Sequence, residues 1–105
     1  VQLIIHEVAE QDTRAIYLQL EGSRAMQGDD FLVEIDRAFE LISLQPHLFS
    51  PAPDAPSRYD LREYYIERFQ YRLIYQVKDD HTLVLTIVHA ARKPGSWRRR
   101  LADVL

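Results

Sequence analysis

Residues 69 to 92 constrain this chain more than any other stretch. From Tyr71 to Val77 the residues alternate, with Tyr71, Leu73, Tyr75 and Val77 on one face and Arg72, Ile74 and Gln76 on the other. Thr82 to Val88 is almost continuously apolar and β-branched, which predicts a strand buried on both faces. Lys78-Asp79-Asp80-His81 supplies a short polar turn between the two arms. A strand covered on both sides sits inside its sheet, so the rest of the chain must pack on and beside this hairpin.

The flanking segments supply the partners. Val1 to Val8 is a short run rich in β-branched residues and reads as a strand, with Leu3 and Ile5 facing one way and Ile4, His6 and Val8 the other. Glu10 to Glu21 reads as a helix. Glu10 and Asp12 favour its first turn, Ala9, Ile16 and Leu20 form its stripe, and Gly22 is placed to stop it. A second helix follows, capped by Asp29 or Asp30 and ended by Pro46; Phe31, Leu32, Ile35, Ala38, Phe39 and Ile42 recur at three- and four-residue spacing.

Pro51, Pro53 and Pro56 make the next segment an extended connector. Tyr59 to Ile66 reads as a strand, with Leu61, Glu63 and Tyr65 on one face and Arg62, Tyr64 and Ile66 on the other. Beyond the hairpin, Arg92-Lys93-Pro94-Gly95 breaks the strand. Ser96 is placed to cap a helical stretch from Trp97 to Leu105, whose Trp97, Leu101 and Leu105 share a face that can close over the sheet. The expected fold is α+β: a two-helix hairpin packed on a mainly antiparallel sheet of about four strands, in a single domain spanning residues 1–105.

Composition narrows the chemistry. The chain has no cysteine, hence no disulfide, thiolate metal site or cysteine nucleophile. Its three glycines form no phosphate loop, its four histidines show no metal-ligand spacing, and no serine sits in a nucleophile elbow. No cofactor and no metal are expected. No apolar run approaches the roughly 18 residues of a membrane span, and no signal-peptide pattern is present, so a cytoplasmic protein is expected. The net charge of -3 hides an asymmetry. Residues 1 to 50 hold three arginines against nine carboxylates, whereas residues 51 to 105 hold ten basic residues against seven acidic. Eleven of the thirteen basic residues are arginine, which suits bidentate contact with carboxylate or phosphate.

Five of the six tyrosines lie between Tyr59 and Tyr75, and Arg62, Arg72, His89 and Arg92 fall on or just beyond the same strands. Such a set can hold a phosphodiester, with arginines for charge, histidine for proton transfer and aromatics for stacking. Tyrosine and arginine are also ordinary sheet-surface residues whose stems cover apolar area. Composition leaves both readings open.

The stretch from Tyr71-Arg72-Leu73-Ile74-Tyr75 through the acidic turn to His89-Ala90-Ala91-Arg92 resembles the signature of the RelE/ParE superfamily of bacterial toxins. The order of elements, and the helix closing at Leu44-Gln45-Pro46, are also similar to that family. The resemblance implies the toxin of a type II toxin-antitoxin pair, held inactive by a cognate antitoxin. It implies one of two mechanisms. ParE-type members bind a protein target, DNA gyrase, and have no known catalytic residues of the nuclease kind. RelE-type members cleave messenger RNA in the ribosome.

For the RelE-type activity the resemblance implies catalytic roles for Arg62, Arg72, His89 and Arg92: Arg72 on phosphate, Arg92 on transition-state charge, and Arg62 as the first of two basic residues on its strand. Tyr64 stands where the second basic residue would fall, and Trp97, lacking a hydroxyl, stands near the C-terminal tyrosine of that type. The net acidity favours the ParE-like reading, because ribosome docking gains from basic charge.

Overall fold

The computed structural model describes residues 2–105. The elements run β1 (Gln2–Ile5), α1 (Glu7–Ser23), α2 (Gln27–Leu44), β2 (Leu61–Ile66), β3 (Tyr71–Val77), β4 (His81–His89) and a 3-10 turn (Ser96–Leu101). The strands form one sheet in the order β1-β4-β3-β2. The first arm of the hairpin pairs antiparallel to the second, and β2 pairs antiparallel to β3. β1 runs parallel to β4, in register from Gln2 opposite His81 to Ile5 opposite Val84. Among the described residues only this crossover departs from antiparallel pairing, because two helices intervene.

The alternation of β3 divides two cores. On the helical face Leu73 and Tyr75 pack with Phe31, Ile35, Ala38 and Ile42 of α2, Ala9 and Ile16 of α1, and Val84 and Ile87 of β4. On the opposite face Ile74 and Leu85 pack with Leu61, Ala52, Trp97 and Leu101. β4 therefore contributes to both, as its continuous apolar run requires. A bulge lets it do so: Ile74 pairs with Thr86 but Tyr75 with Val84, leaving Leu85 as the extra residue. The Trp97 and Leu101 side chains close over the sheet, although the turn that carries them is 3-10 and ends at Leu101, short of the Leu105 expected.

The helix ends differ from expectation for local reasons. The first strand stops at Ile5, and Val1 lies outside the described residues. α1 starts at Glu7 because the His6 ring caps it, its Nδ1 accepting from the Val8 N–H at 3.0 Å. Gly22 lies within α1, which runs past it to Ser23 instead of stopping there. Neither Asp29 nor Asp30 caps α2. Met26 occupies the cap position with φ 73°, and Glu21 of α1 supplies the carboxylate, accepting from the N–H groups of Met26 and Asp29 at 3.0 and 3.3 Å. Gly28 makes this junction possible: a Cβ there would lie 2.5 Å from Glu21 Cγ and 2.7 Å from the Tyr17 ring.

The parallel pairing ends before β4 does, and a side chain takes over. Asp12 of α1 accepts from the Ile87 N–H at 3.0 Å and the Thr86 hydroxyl at 2.5 Å. It thus satisfies backbone that the short β1 leaves uncovered. Expected as a first-turn acid, Asp12 is instead buried, and Arg100 pairs with its other oxygen at 2.7 Å.

Candidate functional site

The four arginine and histidine positions singled out in the sequence do not meet at one point. Arg62 lies opposite Tyr75, which faces the helices, whereas Arg72 lies opposite Val88, which faces the second core. Directly paired residues share a face of the sheet. Arg62 and Arg72 are therefore on opposite faces.

Each of these arginines grips the same loop. The segment from Gln45 to Asp60 leaves the end of α2, runs along β2 and crosses to the second core. It pairs with β2 through a bridge between Pro51 and Arg62, with Ala52 N–H donating to the Leu61 carbonyl at 2.9 Å and Glu63 N–H to the Ser50 carbonyl at 3.0 Å. This covers part of an edge strand that would otherwise expose its amides. On the helical face Arg62 donates to the carbonyls of His47 and Phe49 at 3.0 and 2.9 Å and pairs with Asp60 at 3.0 Å. Beside it, the Tyr75 hydroxyl donates to the Pro46 carbonyl at 2.7 Å. Burial pushes the Tyr75 phenol up to about 12.

On the other face Arg72 meets two carboxylates. Its Nη1 and Nη2 donate to Asp54 at 3.0 and 2.6 Å, and its Nε and Nη2 donate to Glu63 at 2.9 and 2.7 Å. Asp54 also accepts from the Gly95 N–H at 2.8 Å and the Trp97 indole N–H at 2.9 Å. One carboxylate thus ties the proline-rich loop to β3 and to the 3-10 turn. Both partners are largely buried, the Arg72 side chain being 14% exposed and that of Asp54 8%. The Arg72 hydrogen bonds hold the Asp54 carboxyl well below the usual range against the opposing effect of burial. Reciprocally, the bonds to Asp54 raise the Arg72 guanidinium further. A fork closed on two carboxylates has no pair of N–H groups left to offer a phosphate.

His89 and Arg92 are brought together elsewhere. They line a cleft of about 330 Å³ between α1, the end of β4 and the 3-10 turn, along with Asp12, Gln19, Tyr71 and Arg100. Tyr71 lies opposite His89 and meets it edge to face at 5.0 Å. Burial raises the Tyr71 phenol while Arg92 opposes the shift. The His89 Nδ1 accepts from the Ala91 N–H at 3.0 Å. A neutral His89 therefore carries its proton on Nε2, and its outward nitrogen is a donor rather than a base. The cleft brings together two of the four sequence candidates, without Arg62 or Arg72.

Sequence reasoning missed Asp54. A single aspartate among prolines gives no periodic signal, and its partners lie 18 to 43 residues away. The Glu63–Arg72 pair carried a signal. Both residues were assigned faces, and the pairing of Tyr65 with Arg72 sets Glu63 diagonally beside it.

Three comparisons bear on identity. A search of curated proteins gives no match. Among solved structures, the chain is similar to the chromosomal ParDE toxin-antitoxin system from P. aeruginosa, with 17% identity, a TM-score of 0.64, and coverage of 85% of this chain and 95% of that one. It is also similar to the isolated RelE toxin of E. coli, with 21% identity, a TM-score of 0.51, and coverage of 99% of this chain and 98% of that one. At these identities both likenesses establish the α+β fold expected from the sequence. The family profile described as "ParE toxin of type II toxin-antitoxin system, parDE" matches residues 3–94, from β1 through the end of the hairpin. With the two-helix, four-strand architecture in place beneath that match, the chain belongs to the ParE toxin family of type II toxin-antitoxin systems.

Proposed function

We propose that this protein stops growth by binding a protein target, DNA gyrase, and that a cognate antitoxin neutralises it. The observation that carries the reading is the state of Arg72. Its guanidinium is closed on Asp54 and Glu63. Arg62 is closed on loop carbonyls from the opposite face. Residues that a nuclease would direct at a phosphodiester are instead holding a loop in place. A toxin that acts by surface complementarity has no need of them for chemistry. The antitoxin half of the proposal is supported by family membership and by the likeness to a ParDE system. Such a target places the action in the cytoplasm.

A second reading, a ribosome-dependent mRNA endoribonuclease, is favoured by one observation: His89 and Arg92 share a cleft. Expression without antitoxin separates the two. The gyrase reading expects double-strand DNA breaks and a DNA-damage response with transcripts intact. Cut transcripts without breaks would establish the nuclease reading, and unaffected growth would remove both.

A further inference from the structure

Part of the basic charge of the C-terminal half gathers around the 3-10 turn. Arg92, Lys93, Arg98, Arg99 and Arg100 fall within the segment from 92 to 100, and Arg58 reaches the same region from the proline-rich loop. Arg58, Arg98 and Arg99 are exposed and line one groove. Among the described residues the ion pairs of the molecule involve Arg37, Arg62, Arg68, Arg72, His81 and Arg100, and none of these three. Three guanidiniums around one groove, none in an ion pair among the described residues, repel one another, and an external polyanion relieves that repulsion.

We infer that this groove is a docking surface for the phosphate backbone of double-stranded DNA, contacted by Arg58, Arg98 and Arg99. Guanidinium forks suit phosphate oxygens, and neutralising phosphates releases condensed counterions. A single strand is disfavoured because, among the described residues at this groove, no aromatic face is free for base stacking. The Arg58 guanidinium covers the Tyr59 ring at 4.8 Å, the Tyr59 hydroxyl donates to the Leu105 carbonyl, and Trp97 is buried. The choice of DNA over duplex RNA rests on the gyrase reading, since that enzyme works on duplex DNA. Such contact would add nucleic-acid affinity to a toxin whose proposed target also acts on DNA.

The test is fluorescence anisotropy of the purified full chain with a labelled DNA duplex of arbitrary sequence, across about 50 to 200 mM salt. Binding should weaken steeply with salt. The triple variant Arg58→Gln/Arg98→Gln/Arg99→Gln should lower the log–log slope by about 2 to 3 and weaken binding at least tenfold at low salt. The control Arg14→Gln/Arg37→Gln, in the acidic half, should leave binding unchanged. If the triple variant melts early, Arg99→Gln alone carries the comparison, with weaker binding and a salt slope lower by about 1.

The inference is overturned by absence of binding at the lowest salt, or by a folded variant that binds as the parent does. It is equally overturned if duplex RNA, single-stranded DNA or polyglutamate binds more tightly than duplex DNA. No gyrase is present in the assay, so failure here leaves the target reading standing. Duplex binding without gyrase poisoning would do the reverse.

Discussion

Arg62 and Arg72 hold one loop from opposite faces of the same sheet, the first through the carbonyls of His47 and Phe49 and the second through the Asp54 carboxylate. The loop would otherwise be a long, irregular connection over an open strand edge. Two arginines on neighbouring strands, one on each face of the sheet, turn it into a fixed strap. Their burial and pairing make them structural before they are anything else.

Removing the Asp54 end of that strap should be expensive. Asp54→Ala leaves Arg72 with Glu63 alone and strands the Gly95 and Trp97 donors. Breaking a buried pair by deleting one partner costs about 3–5 kcal/mol. The double variant Asp54→Ala/Arg72→Met should lose less than the sum of the two single variants, because the uncompensated charge is gone. Urea unfolding of the four proteins measures the coupling. Additive losses would mean that the pair contributes nothing beyond its separate packing.

Acid should act through the same carboxylate. Asp54 holds its proton less tightly folded than unfolded. Its stabilisation is therefore complete above the unfolded carboxylate value of about 3.9 and is lost as pH falls below that toward the depressed folded value. Asp54→Asn should be less stable at neutral pH and should show a shallower acid slope in denaturant midpoints taken at successive pH values. An unchanged slope would assign acid unfolding to other carboxylates.

Tyr75 makes the opposite prediction at the other end of the scale. Its folded phenol, pushed up to about 12, holds its proton more tightly than the unfolded one. The stability it contributes is full below about 10 and is lost as pH rises through the folded value. Tyr75→Phe should remove that alkaline loss. It should cost about 1 kcal/mol at neutral pH through the missing bond to the Pro46 carbonyl. Thermal melts at neutral and alkaline pH read both effects.

Two glycines should respond with opposite signs to the same substitution. Gly22→Ala lies in a helix with nothing within 4 Å of the new Cβ, so it should stabilise by about 0.5–1 kcal/mol. Gly28→Ala gains the same propensity but drives its methyl into Tyr17 and Glu21, and should destabilise by about 1–3 kcal/mol. Glu21 cannot retreat without releasing the amides that it caps at the start of α2. Equal shifts in melting temperature would contradict the close helix junction.

What the sequence disclosed, and what it withheld, follows from the range of each interaction. The hairpin, the face assignments of Arg62, Glu63 and Arg72, and the stripe of α2 were all legible, because period-2 and period-3.6 patterns are local. The register of the paired strands then puts Arg62 and Arg72 on different faces. The N-terminal starts of α1 and α2 were not legible, since a histidine caps one and a glutamate from the preceding helix caps the other. Asp54 was hidden for a different reason. Its value lies in joining segments far apart along the chain, which no spacing rule registers.

On the proposed function, this toxin works on a protein target while its strand arginines serve the fold. The direct measurement incubates the purified protein with DNA gyrase and supercoiled plasmid, and in parallel with ribosomes translating a defined message. Gyrase-linked broken plasmid should accumulate while the message stays intact. An unbroken plasmid beside a message cut within the ribosome would contradict that function.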